Sequence, residues 1–263
     1  MAMTQSIIPR NHLKQGLREG RLQVGTFVVE FRQPAVMQLL ANAGFDFVLI
    51  DNEHGAFSME SVAELSRAAV RLAITPIVRI PDIAYPYIAQ TLDVGAQGIM
   101  VPRVTSVEQV REVVDRMRYP PLGVRGSALE RGLTGFKSGP VGEVIESLHA
   151  ETMLVIQVET RQAVEAIDQI AAVPGVDAAL IGPNDLSISL GVPGQIDHPM
   201  LHKAIETTIA ACQCTVVWSA IHISDLKLAA YWAGKGMRMV STGSEVSFIM
   251  RAGRQALAAI RQE

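Results

Sequence analysis

Residues 153–185 read MLVIQVETRQAVEAIDQIAAVPGVDAALIGPND, and this stretch shows the pattern that decides the fold. The apolar runs at 153–158 and 178–181 are continuous rather than alternating, which is typical of strands buried on both faces of a parallel sheet. Between the runs, apolar residues recur at helical spacing behind Thr160, which is a suitable N-cap. These helical positions are Val164, Ile167 and Ile170. The stretch therefore predicts a strand–helix–strand unit of a parallel sheet.

The same alternation extends over the whole chain. Apolar runs that predict strands occupy residues 24–28, 47–50, 76–80, 98–101, 153–158, 178–181, 215–218 and 238–241. Eight strand–helix alternations in about 250 residues fit a (β/α)8 TIM barrel better than a doubly wound sheet. No GxGxxG or GxxxxGK[ST] motif follows the first run, so a nucleotide-binding turn is not indicated. We expect a single barrel domain spanning residues 1–263.

Several local features refine this expectation. Ser58 is a predicted N-cap, Thr105 and Glu108 form a predicted capping box, and apolar spacing over residues 246–260 predicts a closing helix. The long passage at 119–150, rich in Gly and Pro near its start, is expected on the barrel face where loops carry function.

Composition limits the possible functions. The 263 residues are 49% apolar and 19% charged with a net charge of −3, so a large core is expected and no basic surface for nucleic acid is indicated. The N-terminal residues lack an apolar signal-peptide region, and no segment is apolar enough to span a membrane. We therefore expect a cytoplasmic protein. Its two cysteines, Cys212 and Cys214, are interpreted as small buried hydrophobic residues.

Polar residues cluster where the predicted strands end. Because catalytic groups of TIM barrels lie at the carboxyl ends of strands, these residues are candidates for one active-site mouth. They are Asp51, Glu53, His54, Arg79, Arg103, Gln157, Glu159, Asn184 and Asp185. For any single residue the alternative is simple solvation at a strand end, but five strands contribute together.

Glu159 and Asp185 follow neighbouring strands, and two carboxylates at one mouth repel each other unless a positive charge lies between them. Oxygen ligands of this kind suit Mg²⁺ or Mn²⁺, with Co²⁺ also possible, whereas a closed Cys/His zinc site is not indicated. The alternative is a pair of salt bridges to arginines such as Arg79 or Arg103.

His54 lies at a strand end and could act as a general base near neutral pH. The other five histidines fall on predicted helices or turns and are not assigned a role; they are His12, His149, His198, His202 and His222. No lysine is predicted at the carboxyl end of a strand, which disfavours Schiff-base chemistry. The lysines are Lys14, Lys137, Lys203, Lys227 and Lys235.

Six motifs, in order and spacing, resemble the HpcH/HpaI aldolase/citrate lyase family, and in particular its metal-dependent pyruvate aldolases. They are FDFVLIDNEHG, PIVRIP, LDVGAQGIMVPRV, RYPPLGVRG, VIQVET and GVDAALIGPNDLSISLG, and the resemblance covers about residues 20 to 250. It implies that Glu159 and Asp185 bind a divalent metal, that His54 accepts a proton, and that Arg79 stabilises an enolate oxygen.

The resemblance also implies that Asp93 pairs with His54, across a subunit boundary, although the sequence alone indicates only a solvated or capping aspartate. Gln157, Asn184 and Asp185 match substrate-binding positions. This chain departs from the family pattern at Asn184, where many members have Ala, and after the first strand, where the family often has Trp. Glu245 replaces a common Asp and is expected to alter only a helix-start acceptor.

The expected function is that of a class II aldolase that reversibly cleaves a 4-hydroxy-2-oxo acid into pyruvate, or a close 2-oxo acid, and an aldehyde. Family likeness implies a homo-oligomer, with a hexamer as the expected size. One alternative is a CoA-ester lyase of the citrate or malyl-CoA type. The other, from a different class, is a non-catalytic barrel that binds metal and oxo acid; the complete acid–base set argues against it.

Overall fold

Eight parallel strands form a closed barrel in sequence order in the computed structural model, which describes residues 7–261. The strands are β1 (Gln23–Val28), β2 (Phe47–Asp51), β3 (Thr75–Arg79), β4 (Gly98–Val101), β5 (Met153–Val158), β6 (Ala178–Ile181), β7 (Trp218–His222) and β8 (Met239–Ser244). β8 pairs with β1 and closes the barrel. The predicted (β/α)8 fold is confirmed.

Helices surround the barrel and connect its strands. They are α1 (His12–Arg18), α2 (Ala35–Asn42), α3 (Met59–Arg71), α4 (Tyr85–Asp93), α5 (Val107–Met117), α6 (Val141–Glu151), α7 (Arg161–Glu165), α8 (Ile167–Ala171), α9 (Pro183–Ser189), α10 (Pro199–Gln213), α11 (Leu226–Gly234) and α12 (Glu245–Arg261). None of these helices is long and apolar enough to cross a bilayer. The expectations for residues 1–6, at the N-terminus, and for the last two residues of the domain lie outside the described residues.

Side chains alternate between the inside and the outside of the barrel, as the period of a strand requires. Along β5, Met153 and Val155 pack in the barrel interior, whereas Leu154 and Ile156 belong to the core between the strands and the helices. Gln157 continues the inward series at the carboxyl end of the strand. The same alternation directs the last side chains of β2, β3 and β7 towards the mouth of the barrel; these are Asp51, Arg79 and His222.

The amino end of the barrel is closed by α1. Leu13 and Leu17 join the interior core, and the buried Lys14 Nζ lies 2.7 Å from Asp177 Oδ1. The charge of Lys14 is therefore paired with that of Asp177, at the end of the barrel opposite the carboxyl ends of the strands. No lysine lines the mouth cavity in the described part of the chain.

The seventh strand was predicted too early in the sequence. The β-branched run at 215–218 suggested a strand, but Val216 is 90% exposed and β7 begins only at Trp218. Residues 214–217 instead connect the end of α10 to the strand. The corrected register moves His222 from a predicted turn to the carboxyl end of β7.

The predicted helix caps are largely correct. Ser58 and Thr160 accept backbone hydrogen bonds as N-caps of α3 and α7. The capping box of α5 lies one residue later than predicted, at Ser106 and Gln109, because both pairs satisfy the same sequence pattern. Of the two cysteines, Cys212 is buried as expected, but Cys214 is exposed.

The passage at 119–150 does not lie on the face that carries the polar strand ends. Leu133 and Leu148 pack with Tyr119 in a separate apolar cluster, and the passage lines a cavity beside the residues that precede β4 and β5. None of its residues lines the mouth cavity. The expectation failed because α5 comes between β4 and this passage, so the passage begins at the amino end of the barrel.

Candidate active site

A cavity of about 320 Å³ occupies the carboxyl mouth of the barrel. The family resemblance assigns a catalytic, substrate-binding or metal-binding role to seven residues, and five of them line the cavity: His54, Arg79, Gln157, Asn184 and Asp185. Glu159 contacts this group because its Oε2 accepts a hydrogen bond from Gln157 Nε2. The structure therefore brings six predicted residues from four strands to one mouth.

The β2–β3 side of the mouth, which we call the paired wall, consists of Asp51, Glu53, Arg79 and Arg103. Arg79 donates to both oxygens of Asp51, from Nε at 2.9 Å and from Nη2 at 2.6 Å. Glu53 lies between the two arginines, with its Oε2 at 3.3 Å from Arg79 Nη1 and its Oε1 at 3.1 Å from Arg103 Nε. Every charge on this wall has an opposite charge beside it.

The paired wall fixes the protonation states of its central pair. Burial raises the pKa of Asp51, but the hydrogen bonds and charge of Arg79 outweigh it and lower the pKa below its ordinary value. Burial likewise opposes the charge of Arg79, and Asp51 and Glu53 more than compensate, so its pKa is raised. The contacts engage three of the five guanidinium N–H groups and leave donors for a ligand in the cavity.

The β5–β6 side, the open wall, carries Gln157, Glu159 and Asp185 and has a different electrostatic character. Glu159 Oε1 accepts the backbone N–H of Arg103 at 2.6 Å, but neither Glu159 nor Asp185 forms a salt bridge with any residue of 7–261. The predicted alternative, salt bridges from these carboxylates to Arg79 or Arg103, is therefore not formed. Both arginines are held by the paired wall instead.

No salt bridge compensates the burial of Glu159 within residues 7–261. Burial, and then the negative charges of Asp185 and Glu53, raise the pKa of Glu159 to about 7, although the Arg103 backbone N–H and the charge of Arg79 oppose the shift. Gln157 Oε1 is also buried and has no hydrogen-bond partner among the described residues. A buried carboxylate, a second carboxylate and an orphaned amide oxygen form a donor set that suits a hard divalent cation and its ligands.

Gly182 keeps the open wall compact. A Cβ at this position would lie 3.1 Å from Gln157 Nε2 and 3.2 Å from Glu159 Oε2. A larger residue would therefore press against both groups. Gly182 precedes α9, whose first turn carries Asp185.

His54 lies on the loop after β2, with its side chain 72% exposed. Asp51 Oδ1 accepts the backbone N–H groups of Glu53 at 3.1 Å and His54 at 3.2 Å, which fixes this loop against the end of the strand. The nearest carboxylate to the imidazole is Glu53, whose Oε2 lies 3.9 Å from Nε2. The ring therefore faces open space at the rim of the cavity.

Asp93 does not reach the cavity of its own chain. It ends α4, at the amino end of the barrel, and its Oδ1 accepts from Arg125 Nη2 at 2.6 Å. Its side chain is 23% exposed. A pairing of Asp93 with His54 would therefore have to join two copies of the chain.

Two residues that shape the cavity were not predicted from the sequence. His222 lines the cavity, packs edge-on against Phe27 with ring centroids 4.6 Å apart, and places Nδ1 2.9 Å from Ser241 Oγ. With β7 placed correctly in the sequence, the alternation of side chains along the strand would have predicted that His222 points into the barrel. Phe27 also contacts Arg79, whose Cζ lies 5.0 Å from the centroid of the Phe27 ring.

The second missed position is Glu245, which does more than accept at a helix start. Its buried carboxylate accepts backbone N–H groups of the loop after β1, from Val29, Glu30 and Phe31, at distances of 2.7 to 3.1 Å. Val29 lines the cavity, so this carboxylate holds a part of its wall. The expectation of a minor change at this position is therefore wrong.

Comparisons with known proteins agree with this architecture. Residues 23–252 match the family model described as HpcH/HpaI aldolase/citrate lyase. The chain is 36% identical over 250 residues to a hydroxypyruvate/pyruvate aldolase of Pseudomonas aeruginosa, covering 94% of this chain and 92% of the relative. It is 35% identical over 252 residues to a 4-hydroxy-2-oxo-heptane-1,7-dioate aldolase of Escherichia coli, covering 95% and 94%.

A solved structure shows the same fold. The crystal structure of an HpcH/HpaI aldolase from Desulfitobacterium hafniense DCB-2 superposes with a TM-score of 0.92 at 32% identity, covering 95% of this chain and 97% of that one. Sequence and structure thus lead to the same conclusion. The chain belongs to the HpcH/HpaI aldolase/citrate lyase family and is a lyase, an aldolase.

Proposed function

We propose that this protein is a metal-dependent class II aldolase that reversibly cleaves a 4-hydroxy-2-oxo acid into pyruvate, or a close 2-oxo acid, and an aldehyde. The observation that carries the proposal is the open wall, where Glu159 and Asp185 form no salt bridge with any described residue although two arginines lie nearby. Glu159 and Asp185 would hold Mg²⁺, Mn²⁺ or Co²⁺. Such a cation supplies Lewis-acid polarisation of the 2-oxo carbonyl.

The residues of the chain supply the remaining steps. His54 takes the proton of the 4-hydroxyl as the C3–C4 bond breaks, and the electron pair of that bond becomes the enolate of the 2-oxo acid. The unpaired N–H donors of Arg79 stabilise the enolate oxygen. The proton returned to C3 completes the 2-oxo acid, and the aldehyde leaves from the open side of the mouth.

Gln157 and the region of Asn184 and Asp185 would orient the oxo acid. Gln157 Nε2 donates a hydrogen bond to Glu159. The Oε1 of the same side chain is buried and has no hydrogen-bond partner among the described residues, so it is available to a ligand. Asn184 and Asp185 occupy the first turn of α9. These groups hold the substrate across the open wall, opposite the guanidinium of Arg79.

We further propose that the protein is a homo-oligomer. α12 has only Glu245 buried, and its exposed apolar side chains form a stripe along the helix: Ile249, Met250, Leu257 and Ile260. A second copy would cover this stripe and bring its own Asp93 towards His54, whose imidazole has no carboxylate closer than Glu53, at 3.9 Å, among the described residues of its own chain. A hexamer is the expected size.

Deuterium exchange tests the reaction without a choice of aldehyde. Proton NMR would follow exchange into the methyl group of pyruvate with Mg²⁺, Mn²⁺ or Co²⁺ and again with a chelator. We expect exchange only with metal, because exchange reports enolate formation. Absence of exchange with all three metals would contradict the proposed chemistry.

Light scattering coupled to size exclusion tests the assembly. Leu257→Lys should lower the molar mass of the particle, whereas Arg254→Lys, at an exposed polar position of the same helix, should leave it unchanged. A wild-type protein that runs as a monomer at micromolar concentration would contradict the proposed oligomer.

A further inference from the structure

His222 is a cavity-lining histidine that the proposed reaction does not use. It lines the mouth cavity and also a neighbouring groove of about 660 Å³ between the loops that follow β6 and β7. The two spaces also share Pro183, Asn184 and Ser224. The ring of His222 therefore lies at the junction through which an extended substrate would pass.

The hydrogen bonds of His222 define its donor atom. Ser241 is fully buried, and within the described residues its hydroxyl has no hydrogen-bond partner other than His222 Nδ1, at 2.9 Å. If the Ser241 hydroxyl accepted from Nδ1–H, its own buried proton would have no acceptor among the described residues, so the arrangement in which the Ser241 O–H donates to Nδ1 is favoured. The proton of the neutral imidazole is then on Nε2.

The Nε2–H group is left for a ligand. Nε2 has no hydrogen-bond partner anywhere in residues 7–261, and the edge-on contact with Phe27 restricts rotation of the ring. Burial, and then the charge of Arg79, lower the pKa of His222 to about 4, so the ring is neutral at pH 7. A neutral, oriented donor at the cavity wall is suited to bind an oxygen atom.

The surroundings of His222 at the junction are also polar. The side chains of Asn184 and Ser224 are exposed at the same junction, and neither is engaged by a side-chain hydrogen bond within the described part of the chain. An alkyl group bound here would displace water from these polar side chains and leave their donors without a hydrogen-bond partner, which is unfavourable. The junction therefore favours a substrate portion that carries oxygen.

We propose that His222, oriented by Ser241, donates a hydrogen bond from Nε2 to a hydroxyl oxygen of the substrate near its reacting carbon, and so makes the enzyme prefer hydroxylated substrates to counterparts that carry a methyl group in place of the hydroxyl. This inference rests on the proposed aldolase reaction and adds a substrate class to it. The hydroxyl group belongs either to the aldehyde or to the 2-oxo acid, and the experiment separates these two sources.

Two substrate pairs, each replacing a hydroxyl by a methyl group, provide the measurement. Glycolaldehyde and propanal are compared at saturating pyruvate, and hydroxypyruvate and 2-oxobutanoate are compared with one fixed aldehyde. The result is the ratio of kcat/KM within each pair, which cancels losses common to both substrates. His222→Leu should lower the ratio about tenfold for the pair whose hydroxyl is bound, the usual effect of one lost hydrogen bond.

Three further variants make the result specific. His222→Gln, which keeps an N–H donor, should restore part of the ratio, and Ser241→Ala, which releases the ring, should lower it by less than His222→Leu. His12→Leu, at an exposed histidine of α1, should leave both ratios at their wild-type values. Unchanged ratios for both pairs in His222→Leu, with His222→Gln also unchanged, would overturn the proposal.

The failure of this proposal is distinguishable from failure of the proposed function. If the wild-type enzyme exchanges deuterium into pyruvate with metal but the His222 variants keep both ratios, only the role of His222 is wrong. If the wild-type enzyme shows neither exchange nor cleavage, the aldolase proposal is wrong and the proposal for His222 is overturned with it.

Discussion

The paired wall and the open wall of the mouth each carry two carboxylates, but only the paired wall carries arginines. On the paired wall, Asp51 and Glu53 each form a salt bridge with a guanidinium group, whereas on the open wall Glu159 and Asp185 form none with any residue of 7–261. Breaking a buried ion pair is costly, so the paired wall is a rigid support. The open wall has unsatisfied charge and is therefore the place where a charged ligand gains most.

The largest expected effect comes from removing the charges of the open wall. Glu159→Gln and Asp185→Asn should each abolish stoichiometric binding of Mn²⁺ and lower turnover by about 10³-fold or more, because the carboxylates supply the ligands and the electrostatic stabilisation. Metal content per chain and the rate of deuterium exchange into pyruvate are the measurements. Glu165→Gln, at an exposed position of α7, is the matched control. Full metal content in both variants would refute the assignment.

A smaller but still large effect is expected on the paired wall. Arg79→Ala should lower turnover by about 10²-fold and lower the free energy of unfolding by about 3 kcal/mol, because Asp51 loses its salt-bridge partner and Glu53 loses one of its two. Steady-state kinetics and urea unfolding give the two values. Arg79→Lys separates the roles: recovered stability with low turnover would support a role in the reaction, and near wild-type turnover of Arg79→Ala would exclude one.

Metal should stabilise the protein only through the open wall. At a Mn²⁺ concentration of about 100 times the Kd, the wild-type protein should gain about 2.7 kcal/mol, seen as a higher Tm, because the native state binds and the unfolded state does not. Glu159→Gln should show no such shift. If the variant and the wild-type protein gain equally, the metal is bound elsewhere.

The smallest predicted effect concerns His222, the neutral polar group near both walls. Burial and the charge of Arg79 lower its pKa to about 4 from an ordinary 6.5, so below pH 6.5 the unfolded chain takes up the proton before the native protein does. Stability is therefore lost as the pH falls from 6.5 towards 4, by about 2 kcal/mol between pH 7 and pH 5. Glu159, whose pKa is raised to about 7, takes up a proton in the native protein over the same range and offsets this loss, so urea unfolding at both values must be compared between the wild-type protein and His222→Leu. In His222→Leu, the loss should be smaller by the same amount.

Much of the fold was predictable because the strands appear in the sequence as short continuous apolar runs, which can be recognised without knowledge of distant residues. Seven strands were placed within two residues of their start in the structure, since each run is bounded by charged or turn-forming residues. The seventh was misplaced because Val216 and its neighbours form an apolar run outside the sheet, whereas β7 itself contains Ser219 and His222. Local composition does not distinguish an exposed apolar connection from a strand with polar inward positions.

The site was predictable in its residues but not in its pairings. Strand ends indicated Glu53, Arg79 and Glu159, yet nothing local could show that Glu53 lies between two arginines or that Glu159 lacks a cation. Those contacts depend on which strands are adjacent and on the curvature of the barrel. The role of Glu245 was missed for the same reason, since its partners are more than two hundred residues away in sequence.

Glu245 also links α12 to the wall of the cavity. It is the first residue of that helix, and its carboxylate holds the loop that includes Val29, a residue of the cavity wall. Glu245 is the only fully buried residue of α12, and Phe248, three residues later, stacks on Phe45 with ring centroids 5.7 Å apart. A displacement of the first turn of α12 would therefore act on the cavity wall through the Glu245 carboxylate and its hydrogen bonds to the loop after β1.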